Sequence, residues 1–289
     1  MRFTFAESMC DPRQYAPLAL EAERAGFHSF TVPESLCYPK LSDSKYPYTA
    51  EGDRRFLEDK PFIEPFVLMA ALGAVTERLR FTTFVIKLPM RHPVLVAKQA
   101  TSLAVMTDNR FGFGVGLSPW PDDFRVMNVP WEGRGKRMDE MIEIIRGLAK
   151  GDFFEFHGVH FDLEPVKISP VPTRPIPILI GGHADAALRR AARIGDGFMH
   201  AGGGKAQDLD AQLAKLAAFR REYGREREPF EIHVISLEAY TTDGIKRLED
   251  KGVTDVIVGF RNAYEKDVMP LQQKLDAIRG YADRVIAKL

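Results

Sequence analysis

Carboxylates, imidazoles and glycine pairs at the ends of apolar runs are the residues of this chain that could do chemistry. Glu7 closes a run that alternates like a strand (Arg2 to Glu7), and Glu34 closes a second (His28 to Pro33). Two carboxylates at neighbouring strand ends could serve as the acid and base of a glycoside hydrolase. The consecutive glycines Gly181 and Gly182 stand between an apolar strand and a helix, where free amides and the positive end of the helix suit a phosphate. A bare turn is the alternative. His200 ends a further strand, and Gly116 and Ser118 follow the run Phe111 to Val115, in which glycine alternates with apolar residues. Gly112, Gly114 and Gly116 share one face, so a helix or a flat ligand is expected to lie against them, with Gly116 the better ligand candidate.

Other patterns lead nowhere. The Gly202-Gly203-Gly204-Lys205 run lacks the Ser or Thr that would hold magnesium, and Gly116-Leu117-Ser118 lacks the closing glycine of a nucleophile elbow. His157 and His160 stand without carboxylate or cysteine partners at ligand spacing, so no metal is expected.

The elements that position these residues follow from periodicity. Short β-branched or aromatic runs alternate with amphipathic segments: strands over 2–7, 28–33, 79–86, 110–116, 176–180, 197–200, 230–237 and 253–259, and helices after Pro12 and over 63–75, 93–106, 134–150, 184–194, 209–223, 243–251 and 271–288. The segment 153–162 reads as a small hairpin. Strands joined by crossover helices pair in parallel and need both faces covered, and eight such units in 289 residues favour a closed (β/α)8 TIM barrel over a doubly wound sheet. The dinucleotide-binding glycine turn is absent after the first strand, where Glu7, Ser8, Met9 and Cys10 stand. We expect a single domain over 1–289. Its insertion, 36–61, is rich in Tyr, Lys, Asp and Pro and exceeds ordinary connection length, so we expect either a lid or a dimer contact.

Composition narrows the function classes. Forty Lys+Arg balance forty Asp+Glu, which leaves no cationic excess for a nucleic-acid backbone. The longest apolar run, Phe66 to Val75, falls well short of the roughly 20 residues that span a bilayer. Two widely separated cysteines fit a reducing cytoplasm.

The run Phe84-Val85-Ile86-Lys87-Leu88-Pro89-Met90-Arg91-His92-Pro93, followed by Ala97-Lys98-Gln99-Ala100, Asn109-Arg110, Gly114-Val115-Gly116, Arg134-Gly135 and Asp139-Glu140, resembles the central signature of the luciferase-like monooxygenase superfamily. Ile178 to Gly182, Ala187 to Ala192 and Gly195-Asp196-Gly197 resemble its fifth-strand phosphate region. Pro33-Glu34 and Tyr46-Pro47-Tyr48 are most similar to the branch of coenzyme F420-dependent oxidoreductases, while FMN-dependent relatives share much of the pattern. The resemblance implies a deazaflavin or flavin ring at the C-terminal mouth, a phosphate near Gly181 and Gly182, a non-proline cis peptide at Phe84-Val85, and a homodimer.

On this basis the expected activity is hydride transfer between F420 and a small organic substrate. FMN-dependent monooxygenation, glycoside hydrolysis through Glu7 and Glu34, and flavin storage are the alternatives. Cofactor contacts are expected from Glu7, Phe84, Val85, Gly116, Ser118, Gly181, Gly182 and Gly202, and catalytic roles from Glu34 and His200. Many superfamily members carry a His after the acidic residue of strand two; here Ser35 takes its place, so that role is not carried over.

Overall fold

A computed structural model describes residues 1–42, 44–46, 52, 54–200 and 206–289. Eleven strands and nine α-helices follow one another among these residues: β1 (Arg2–Ala6), α1 (Tyr15–Arg24), β2 (Ser29–Val32), α2 (Pro65–Val75), β3 (Arg80–Thr83), β4 (Ile86–Lys87), α3 (Pro93–Met106), β5 (Phe111–Gly116), α4 (Pro121–Val126), α5 (Arg134–Leu148), β6 (Phe154–His157), β7 (Asp162–Val166), β8 (Ile178–Gly181), α6 (Asp185–Ile194), β9 (Gly197–His200), α7 (Ala206–Glu222), β10 (Glu231–Val234), α8 (Thr242–Asp250), β11 (Asp255–Val258) and α9 (Leu271–Arg284). All except β6 and β7 belong to one parallel sheet in the order β3-β2-β1-β11-β10-β9-β8-β5-β4, closed by pairing of β3 with β5. The closed eight-fold barrel with helices between its strands is therefore observed.

Three features depart from the periodicity reading. The third barrel strand is not continuous over 79–86: β3 and β4 are separate, and the Phe84–Val85 peptide between them is cis, as the resemblance implied. Hydrophobic alternation runs straight through that break and cannot reveal it. The short α4 was not expected; proline at its first turn and two acidic residues beside it start a helix too brief to show a periodic stripe. The hairpin reaches Val166 and sets His157 opposite Asp162, so His157 Nδ1 gains a carboxylate partner at 2.5 Å that sequence spacing did not suggest.

Packing assigns the two faces of β5. Phe111 and Phe113 point outward onto Phe66 of α2, with ring centroids 6.1 and 5.9 Å away. The glycine face points into the barrel, where neighbouring strands occupy the space. A Cβ at Gly112 would lie 2.6 Å from the Arg80 guanidinium, and one at Gly114 would lie 1.9 Å from the Thr83 carbonyl oxygen and 2.6 Å from Met199 Sδ. Neither a helix nor a ligand lies against these two positions, contrary to the sequence reading. Strand backbones and inward side chains take that place.

The N-terminal end of the barrel is closed by charge. Arg2 grips Asp255 through Nε and Nη2 at 2.9 and 2.6 Å, and Arg80 grips Glu231 through Nη1 and Nη2 at 2.7 and 2.9 Å. His233 Nε2 lies 2.8 Å from Glu231. These hydrogen bonds hold the Glu231 carboxyl well below the usual carboxylate range in spite of burial, the largest single influence, which acts the other way. Glu231, His233 and Asp255 place three potential metal-ligand atoms together, but both carboxylates already bind guanidinium groups.

Candidate active site at the C-terminal mouth

The opposite end of the barrel is built differently. Leu179, Met199 and Ile257 fill the interior, and Ala6, Phe84, Val85 and Ile235 lie on them, only partly buried. The result is an apolar floor exposed at the strand ends, with Val85 between two glycines. A Cβ at Gly116 would meet Val85 Cγ2 at 2.8 Å, and one at Gly181 would meet Val85 Cγ1 at 2.9 Å. These glycines therefore make room for the Val85 methyls, and the Phe84–Val85 segment presents the surface for which Gly116 had been the candidate.

Glu34 supports that segment. Its Oε2 accepts from the Lys87 amide at 2.6 Å, and its Oε1 accepts from Arg91. Glu7 is likewise engaged: Oε1 accepts from the Ser8 amide at 2.9 Å and Arg261 Nε at 2.8 Å, while Lys274 Nζ lies 3.6 Å from Oε2. A glycosidase pair needs one carboxyl free to give a proton and one free to attack or activate water. Here each is bound by its own arginine. Cys10, close by, is no nucleophile, because burial pushes its thiol up to about 12.

Gly182 has φ +135° and leads through His183 to the N-cap Ala184, whose side chain caps nothing. The first amides of α6 thus open toward the mouth without a side-chain acceptor, next to Asp185, which pairs with Lys215 at 2.8 Å. The imidazoles of His183 and His200 stack with centroids 4.9 Å apart. Burial, reinforced by the neighbouring His183, depresses His200 to about 4, so its ring is uncharged at neutral pH. Gly202 lies outside the described residues, as do Pro47 and Tyr48.

Around Ser118, expected as a cofactor contact, the structure also brings together residues that sequence reasoning left unassigned. Ser118 Oγ donates to Asp123 Oδ2 at 2.8 Å and accepts from the Trp120 amide at 3.0 Å, so it shapes the β5–α4 turn. Lys87 Nζ pairs with the same carboxylate oxygen at 2.6 Å and lies 4.5 Å from the Trp120 ring centroid. Arg54, from the insertion, lies over the same ring at 4.5 Å. Tyr46 packs against Trp120 and Tyr264 at 5.5 and 5.8 Å, so the described part of the insertion leans across its own barrel's mouth. In sequence, Arg54-Arg55 and Asp122-Asp123 are two adjacent charged pairs that no spacing joins. Only the Trp between strand and Pro121 hints otherwise.

A parallel barrel with an apolar floor and a glycine-rich rim at its C-terminal mouth belongs to the class of barrels that hold a small molecule among their βα loops. The family model for luciferase-like monooxygenase matches residues 5–283, and the chain belongs to that family. It is an oxidoreductase. An uncharacterised protein of Mycobacterium tuberculosis is 60% identical over 291 residues, covering 100% of both chains. The F420-dependent glucose-6-phosphate dehydrogenase of Tsukamurella paurometabola is 29% identical over 73% of this chain and 59% of its own. Among solved structures, the coenzyme F420-dependent tetrahydromethanopterin reductase from Methanopyrus kandleri shares the fold with a TM-score of 0.75 at 15% identity, covering 99% of each chain.

Proposed function

We propose that this protein transfers a hydride between coenzyme F420 and a small organic substrate at the C-terminal mouth of the barrel. The observation that carries the reading is the partly exposed floor of Phe84, Val85, Ala6 and Ile235, which suits one face of a flat tricyclic ring. The F420-dependent relative supports this cofactor; the family's description as monooxygenase supports oxygen chemistry as a second reading, with FMN as the alternative cofactor. The residues present fit either group: apolar side chains under the ring, and the Gly181-Gly182 turn with the uncapped start of α6 for a phosphate. When bound, the deazaflavin supplies the hydride chemistry.

The chain's own residues bind, orient and keep out water. Glu34 fixes the strand break by holding the Lys87 amide, so it is a positioning residue. His200, uncharged, serves as a hydrogen-bonding group at the rim rather than a reservoir of protons. Described residues of the 36–61 insertion pack on Trp120 and Tyr264, which supports a lid that walls the substrate side. The exposed apolar faces of α2 and α3, with Val67, Leu95 and Met106 63, 58 and 68% exposed, support a homodimer. We place the protein in the cytoplasm, where Cys10 and Cys37, both free thiols, stay reduced.

Titration of the purified protein with F420 and with FMN, followed by cofactor fluorescence, tests the reading. F420 is expected to bind with a Kd of about 10 μM or below; absence of binding by both cofactors at that level overturns it. For the assembly, Val67→Glu combined with Met106→Glu should convert a dimer to a monomer in sedimentation; a monomeric native protein would refute the dimer.

A further inference from the structure

Buried hydrogen-bond donors are almost always satisfied, so several unsatisfied donors in one place point to a missing acceptor. Among the described residues, Arg54 is the only arginine whose Nη1 and Nη2 are both buried without a hydrogen-bond partner. Its residue is only 6% exposed, and its one ion-pair contact, to Asp122 Oδ2, is long at 3.4 Å. Asp122 is already engaged by Ser42 and Arg125. The guanidinium lies over Trp120, 4% exposed, whose Nε1–H is a third buried donor without an acceptor. Asp123 Oδ1 also lacks a partner, but its carboxylate is neutralised by Lys87 through Oδ2.

We propose that Arg54 and Trp120 form a carboxylate-binding subsite for the substrate, so that the molecule reduced or oxidised here is an organic acid. The two Nη groups, neither hydrogen-bonded within the chain, form the planar fork that matches the two oxygens of a carboxylate, and the indole N–H adds a third donor. A neutral carbonyl would leave one arm of the fork unanswered. Arg54 belongs to the insertion and Trp120 to the loop after β5, so the subsite joins the proposed lid to the mouth and would hold the acid group at the rim while the rest of the molecule reaches the apolar floor. The inference names the substrate class of the proposed activity and therefore rests on that reading for its role, although not for its binding.

The test is isothermal titration of the full-length protein, cofactor-free and F420-loaded, with benzoate as the probe and benzamide as its uncharged counterpart. Benzoate is expected to bind at least about tenfold more tightly than benzamide, and Arg54→Leu to lose at least about tenfold in benzoate affinity. Trp120→Phe keeps the ring, removes the N–H and should lose about threefold. Unchanged circular dichroism and F420 affinity in Arg54→Leu establish that the variant is folded. Equal affinity for benzamide, or native benzoate affinity in Arg54→Leu, would overturn the subsite. Benzoate binding without F420 or FMN binding would leave the subsite standing and remove the oxidoreductase role; the converse would remove the subsite alone.

Discussion

The two ends of this barrel differ in how completely their buried guanidinium groups are answered by the chain. At the N-terminal end, Arg2 and Arg80 each meet a carboxylate through two hydrogen bonds, and Glu231 is shared with His233, whose Nδ1 is left without a partner. At the C-terminal mouth, Arg54 has neither Nη satisfied, and the Trp120 indole N–H and Asp123 Oδ1 are also without partners. A buried ion pair gains its attraction only when geometry is good and the remaining donors are satisfied; an unsatisfied donor carries its desolvation cost uncompensated. The first end answers its guanidinium groups within the chain, whereas at the second the Arg54 and Trp120 donors are those the proposed subsite uses.

Variants along the inner face of β5 and at the two ends should separate these roles. The largest effect is expected from Gly114→Ala, whose Cβ would lie 1.9 Å from a backbone oxygen that cannot move aside. Denaturant unfolding should show a loss of about 3 kcal/mol or more; a native midpoint would mean the strands can part there. Arg80→Leu strands Glu231 and should cost about 3 kcal/mol in the same measurement.

His200→Gln probes pH. Because the His200 pKa is depressed to about 4, the unfolded chain takes up the proton first. Stability is therefore constant above the usual histidine pKa and falls as pH drops through the window from about 6.5 to 4. Unfolding midpoints at pH 7.5, 6 and 5 should decline less steeply in His200→Gln; an identical decline would place the acid sensitivity elsewhere. The smallest effect is expected from Arg54→Leu, within about 1 kcal/mol of the native protein, since no Nη hydrogen bond is lost, Asp122 keeps Ser42 and Arg125, and leucine still packs on Trp120. A cost equal to that of Arg80→Leu would erase the contrast between the two ends.

Much of this was legible in the residues. The alternation of apolar runs and amphipathic helices gave the barrel, and the strand ends named the mouth loops. What stayed hidden depended on contacts far apart in sequence. Glu7 and Glu34 read as a free acid and base until Arg261, 254 residues from Glu7, and Arg91, 57 from Glu34, claimed them. That Gly116 makes room for the Val85 methyls is likewise a contact no spacing shows.

Local patterns determined what each segment is, because strand and helix periodicities and proline starts are set by neighbours within a few residues. Barrel closure decided which charges were answered and which were left over. Whether Arg54 finds a carboxylate, as Arg80 does, depends on which side chains the closed sheet and its insertion bring within 3 Å, and no spacing along the chain encodes that distance.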